Sequence, residues 1–187
     1  MTGESIQQNF RFVLVFAIFC APLPGDSNLR GGPAMALQLT TTAFPSGGTI
    51  PKQFTCDGAD VSPALSWNEP PAGTQAFAMI MDDPDAPAGT WVHWVLYDLP
   101  SNTRSLPESV PKDPELASGT RQGRNDFRKI GYGGPCPPPG ATHRYFFKLY
   151  ALDSKTNLKA GVTKAELERA MKGHILAQAE LIGRFQH

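Results

Sequence analysis

From residue 37 onward, apolar positions fall in short runs cut by turn clusters, and one stretch near the end carries a helical period. Residues 37–40 (LQLT) alternate apolar and polar and open a strand that Pro45, Ser46, Gly47 and Gly48 stop. Residues 75–81 (QAFAMIM) form a continuous apolar run of strand length, suited to burial on both faces. Residues 91–97 (WVHWVLY) and 144–152 (RYFFKLYAL) are two more, rich in aromatic and β-branched residues. Thr163-Lys164-Ala165-Glu166 is a capping box, and Leu167, Ala170, Met171, His174, Ile175 and Ile182 follow at mostly three- and four-residue steps. Strands without alternating helices predict a mainly β fold, an antiparallel β-sandwich with a C-terminal helix and few short helices. Between residues 100 and 139 lies a Pro/Gly/polar stretch too long for a simple connection, and therefore a candidate for function.

Residues 1–34 read as a separate segment, with 35–187 as a single domain. Residues 12–23 (FVLVFAIFCAPL) are strongly apolar, but twelve residues cannot span a bilayer as a helix. Arg11 precedes the run and Ala34-Met35-Ala36 offers a cleavage site, as in an export signal, although the site lies far downstream and Glu4 sits in the flank. The preferred reading starts translation at Met35, which places the protein in the cytoplasm. A working signal would place it in the periplasm or outside the cell, and a structured extension is a third reading.

Composition narrows the partners. Seventeen Lys+Arg against seventeen Asp+Glu give zero formal net charge, without the clustered cations that nucleic acid requires. Eighteen glycines and eighteen prolines punctuate a chain that is 41% hydrophobic, enough for one packed domain without stable membrane insertion. The cysteine spacings give no zinc-ribbon, C-x-x-C or haem signature, and no phosphate-loop or dinucleotide fingerprint calls for a cofactor.

The densest polar constellation is Asp82-Asp83-Pro84-Asp85-Ala86-Pro87, a turn stiffened by two prolines at the end of an apolar strand. His93 lies in the next strand, where strict alternation puts it on one face with Trp91 and Val95, opposite Val92 and Trp94. Taken alone it reads as a hydrogen-bonded core histidine. His143 opens a third strand after Gly134-Pro135-Cys136-Pro137-Pro138-Pro139, and together these features suit a pocket for a small anion or zwitterion. A carboxylate beside an imidazole favours imidazolium, which binds phosphate. The alternatives are a metal site of His93, His143 and Asp83 or Asp85, and a Cys136–His143 nucleophile pair.

DPDAP at 83–87, W-x-H-W at 91–94 and GPCPP followed by HRY at 134–145 together resemble the phosphatidylethanolamine-binding protein family. FTCDG at 54–58, SPALSW at 62–67 and QGRNDF at 122–127 extend the resemblance, the last to its bacterial Raf-kinase-inhibitor-like (YbhB/YbcL) branch. The resemblance covers about residues 37–185 and implies a β-sandwich with an anion pocket at one end. The implied pocket uses Asp83, Asp85, His93, His143 and the backbone of Gly134, Pro135, Cys136 and Pro137, with Tyr145 beside it. Asp83 and Asp85 would orient and charge the imidazoles or receive an ammonium group, and backbone N–H groups of residues 134–137 would assist. Residues 182–187 (IGRFQH) hold no equivalent of the C-terminal tyrosine that closes the pocket in animal members. The kinase and flowering partners of eukaryotic members do not carry over. The same motifs bring Cys56 and Cys136 near the pocket, as a disulfide if the protein is exported and as free thiols in the cytoplasm. The expected function is a binding protein without cofactor. A metal-assisted or Cys/His hydrolase, or a protein-interaction module regulated by the pocket, is the alternative. The stretch 100–133 is the natural surface for a protein partner or a homodimer.

Overall fold

The computed structural model describes residues 1–3 and 36–187, and residues 36–187 belong to one compact unit. Residues 12–23 and Met35, on which the readings of the N-terminus rest, lie outside the described residues. Two antiparallel sheets stack: a small one of β1 (Leu39–Thr40), β2 (Leu65–Trp67) and β5 (Ser105–Leu106), and a large one. The large sheet runs in the order β6 (Arg121–Gln122), β4 (Trp91–Pro100), β3 (Ala76–Asp83), β7 (His143–Leu152), β8 (Ile175–Phe185). One helix, α1 (Lys164–Met171), covers the outer face of the large sheet. Among the described residues no helix is long and apolar enough to cross a membrane.

This layering explains why residues 75–81 read as a continuous apolar run. β3 is the central strand and every residue in it is buried. Phe77, Met79 and Met81 face the small sheet, packing with Leu39, Leu65 and Trp67. Ala78 and Ile80 face the other way, onto Leu167 and Met171 of α1. The period-2 alternation therefore holds, but both faces are apolar because both are covered.

Two readings need correction. The helix begins where the capping box puts it, the Thr163 side chain accepting from Glu166 N–H while Glu166 accepts from Thr163 N–H. It ends at Met171 and does not continue through His174, Ile175 and Ile182. Gly173 adopts a left-handed φ of 86°, which breaks the helix after two turns, and the chain returns as β8 along β7. The last element is thus a strand whose inward positions are Ala179, Leu181, Gly183 and Phe185.

The second correction concerns β4. Met81 pairs with Trp94 and Asp82 with Val92, so His93 is an extra residue in the ladder, a β-bulge. The bulge resets the alternation: Trp94 packs toward the small sheet, whereas Val92 and Val95 share the α1 face. His93 keeps Trp91 as a neighbour on the cavity wall but parts from Val95. The long stretch after residue 100 is organised rather than free. Gln122 accepts from Trp94 Nε1–H at 2.7 Å and donates to the carbonyls of Pro111 and Asp113, and Asp126 N–H donates to Val92 O.

The end of α1 gives a prediction. Leu167 is fully buried, so Leu167→Ala should cost about 2–5 kcal/mol in urea unfolding. Ile175 is 43% exposed, and Ile175→Ala should change stability by no more than about 0.5 kcal/mol. Similar large losses at both positions would argue for a helix continuing through residue 175.

Candidate functional site

A cavity of about 250 Å³ opens where β3 ends and β4 and β7 begin. It is lined by Asp83, the turn residues Ala86, Pro87 and Ala88, Trp91, His93, Phe127, Cys136, Pro137, Pro138 and His143. The volume suits a small ligand, since drug-sized ligand sites begin at about 300 Å³. His143 is the first residue of β7, antiparallel to β3, so its imidazole meets the carboxylate at the end of β3. His143 Nδ1 lies 2.7 Å from Asp83 Oδ2, and both side chains are almost completely buried. With Nδ1–H donated to Asp83, the nitrogen left for a ligand is Nε2.

His93 is held differently. Its Nδ1–H donates to Gly133 O at 2.7 Å, and Gly133 N–H donates back to His93 O. Its ring stands edge-to-face against Phe127 and Tyr145, with centroids 5.3 and 5.2 Å away. Burial pushes the His93 imidazole below its ordinary pKa, outweighing the Gly133 carbonyl and the Asp83 charge, which act in the opposite sense. The expectation of two charged imidazoles is therefore corrected: His93 is a neutral wall residue, and burial in an aromatic cage is the reason.

Other expected residues serve the frame. Asp85 does not line the cavity. It accepts from Arg144 Nε, Nη2 and backbone N–H at 2.7–2.9 Å, and these hydrogen bonds hold its carboxyl at about 2. Asp85 N–H donates to Asp83 Oδ1, so the stiff turn ends in a clamp to β7. Gly134 N–H donates to Asp60 Oδ1 at 2.6 Å, and Pro135 O accepts from Cys56 N–H. Since Pro135 and Pro137 carry no N–H, the remaining amide among residues 134–137 is that of Cys136, and it faces the Tyr145 hydroxyl. No amide of residues 134–137 is left over for the expected backbone assistance among the described residues. Gly134 is required sterically, because a Cβ there would stand 2.5 Å from Phe54 O. Tyr145 lies behind His93 and not on the cavity wall; burial raises its phenol, and the Cys136 backbone N–H acts in the opposite sense.

Cys136 is bonded to Cys56, with Cα atoms 5.4 Å apart, and the imidazole near the pair is that of His187. In this bonded form the Cys136 sulfur is paired with Cys56 and not with His143. His93, His143, Asp83 and Asp85 do not come together as a metal cluster among the described residues. The sequence reading missed Phe127, Pro138 and the apolar side of the 86–88 turn. Phe127 sits at the end of the QGRNDF motif, and its edge-to-face contact with Trp91 at 5.5 Å shows what that motif supplies to the wall.

A scan of known families matches the phosphatidylethanolamine-binding protein model over residues 40–186. The chain belongs to the phosphatidylethanolamine-binding protein family. Among curated members of this group, it is 51% identical over 152 residues to a UPF0098 protein of Aquifex aeolicus, covering 80% of this chain and 88% of the relative. A UPF0098 protein of Methanothermobacter thermautotrophicus is 47% identical over 150 residues, covering 80% of this chain and 99% of its own. Among solved phosphatidylethanolamine-binding protein structures, Escherichia coli YbcL superposes with a TM-score of 0.76 at 32% identity, covering 82% of this chain and 99% of that one. A Chlamydia trachomatis homologue gives 0.74 at 41%, covering 81% and 98%. The YbhB/YbcL-like branch and the sandwich fold expected from the motifs are both found.

Two pH effects follow. As pH falls below about 6.5, the ordinary imidazole of the unfolded chain takes up a proton that buried His93 does not, so stability should drop with pH in that window. His93→Gln should flatten that part of a denaturant-midpoint profile. Asp85 has a depressed pKa, so its contribution is present above about 4 and lost as pH falls toward 2. The stability gap between the native protein and Arg144→Ala should close across that lower range.

Proposed function

We propose that this family member binds a small phosphate-class anion, free or as a phospholipid head group, in the cavity between the 84–88 turn and the 134–138 loop. The observation that carries the reading is the buried Asp83–His143 pair. Asp83 takes the Nδ1–H, so a protonated His143 presents one further N–H at Nε2, and the bound anion and the carboxylate both stabilise that charge. Trp91 and Phe127 supply aromatic faces that suit an ammonium group better than Asp85 does, because Arg144 already occupies that carboxylate. Binding is favoured over hydrolysis because no Ser or Thr hydroxyl lines the cavity and the Cys136 sulfur is bonded to Cys56.

The test uses sulfate, which does not titrate near neutrality, alongside phosphorylethanolamine, in calorimetry and thermal shift. Sulfate and phosphorylethanolamine should compete for one site per chain. At one hundred times Kd the fold should gain about 2.7 kcal/mol. His143→Ala should weaken both ligands at least tenfold, and Asp83→Asn, which removes the charge paired with His143, should weaken them as well. Binding that His143→Ala leaves intact overturns the reading. Turnover of a phosphoester, lost in the same variant, would establish the hydrolase instead.

A further inference from the structure

The second cluster of reactive side chains lies beside the cavity and shares only Cys136 with its wall. Cys56 and Cys136 are 80 residues apart in sequence and both exposed, joined as a disulfide. His187 Nε2 stands 3.8 Å from Cys56 Sγ and 4.0 Å from Cys136 Sγ, and all three candidate ligand atoms fall within 4.8 Å of one another. On its other side, His187 Nδ1 lies 3.0 Å from Asp57 Oδ1. We propose that reduction of the Cys56–Cys136 bond converts this cluster into a thiolate–imidazole site for zinc, with Cys56, Cys136 and His187 as ligands and Asp57 orienting the imidazole.

Geometry supports this. In a tetrahedral zinc site, Zn–S of about 2.3 Å and Zn–N of about 2.1 Å place neighbouring ligand atoms roughly 3.6–3.8 Å apart. Both sulfur-to-nitrogen edges are already near that length. The remaining sulfur-to-sulfur edge is closed by the covalent bond and opens when that bond is cleaved. A carboxylate on the far nitrogen of a ligating histidine fixes the tautomer and raises the basicity of the donor nitrogen. Two thiolates and an imidazole select zinc or a similarly thiophilic ion over magnesium or calcium. Three protein ligands leave the fourth position to water.

The chemistry balances in two steps. A dithiol reductant gives two electrons and two protons to the protein disulfide and becomes a disulfide itself, leaving two protein thiols. Zinc then displaces both thiol protons and binds two thiolates and neutral His187, releasing two protons. In a reducing compartment such reductants keep thiols available. In an oxidising compartment the disulfide persists.

The test uses the full chain, oxidised or reduced with a phosphine and desalted without oxygen, then titrated with cobalt(II) and with zinc. The reduced protein should take up one equivalent of cobalt, with thiolate-to-metal charge transfer and intense tetrahedral visible bands, and zinc should displace it. The oxidised protein should show neither band. His187→Ala, which keeps both cysteines, should weaken cobalt at least tenfold, and Asp57→Asn should weaken it by about tenfold. Cys56→Ser should abolish the charge-transfer band. A reduced protein without that band overturns the proposal, as does an unchanged affinity in His187→Ala. So does equal metal uptake by the oxidised form, which would point to the cavity histidines.

Discussion

Two consecutive aspartates at the end of the central strand hold this molecule together. Because a strand sends successive side chains to opposite faces, Asp82 and Asp83 leave β3 in opposite directions, and both are buried. Asp83 turns toward the cavity and meets His143. Asp82 turns toward the helix layer and meets Lys148 of β7 and Lys164 at the start of α1. Each charge is costly to bury alone, and removing one partner of such a pair typically costs about 3–5 kcal/mol. The register of β3 on β7, the seat of α1 and the placement of the candidate ligand-binding histidine therefore rest on one dipeptide. A slip of one residue would send each carboxylate to the wrong layer.

Around that anchor the cavity is built stiff. Pro84 and Pro87 set the backbone of one wall, and Arg144 ties it to β7 through Asp85. The opposite wall carries three consecutive prolines and is bonded to the Cys56 segment. The Asp60 carboxylate holds Gly134 N–H on that side, and Lys112 pairs with the same carboxylate at 2.9 Å. Walls that are already ordered spare a ligand the cost of ordering them.

How much of this was legible depended on what each residue answers to. β3, β4 and β7 were readable because they are apolar by burial, whatever their partners. β8 was not, because its spacing of Ala177, Ala179, Leu181 and Ile182 suits either period, and only pairing with β7 decides. The helix start was written in a local hydrogen-bond pair, whereas its end depended on Gly173 taking a left-handed φ, which glycine permits but does not dictate. The cavity residues Asp83, His93 and His143 were found because motif order brought them together. What their neighbours would do was less visible. The bulge at His93 arises from a ladder shared with β3, and Asp85 was assigned to a ligand although its partner, Arg144, stood in the adjacent motif.

The order of strands has a consequence for how the protein is made. β3 is complete at residue 83, but one of its two neighbours, β7, begins sixty residues later at His143, and the edge strand β8 finishes only at Phe185. At synthesis rates of roughly 5–20 residues per second, the exposed β3–β4 pair waits on the order of several seconds for the strand that covers its open edge. An apolar, uncovered strand edge is the state most prone to pairing with another chain. The demand on the cell's folding helpers should thus be concentrated in that interval, and it should ease abruptly once the final residues emerge.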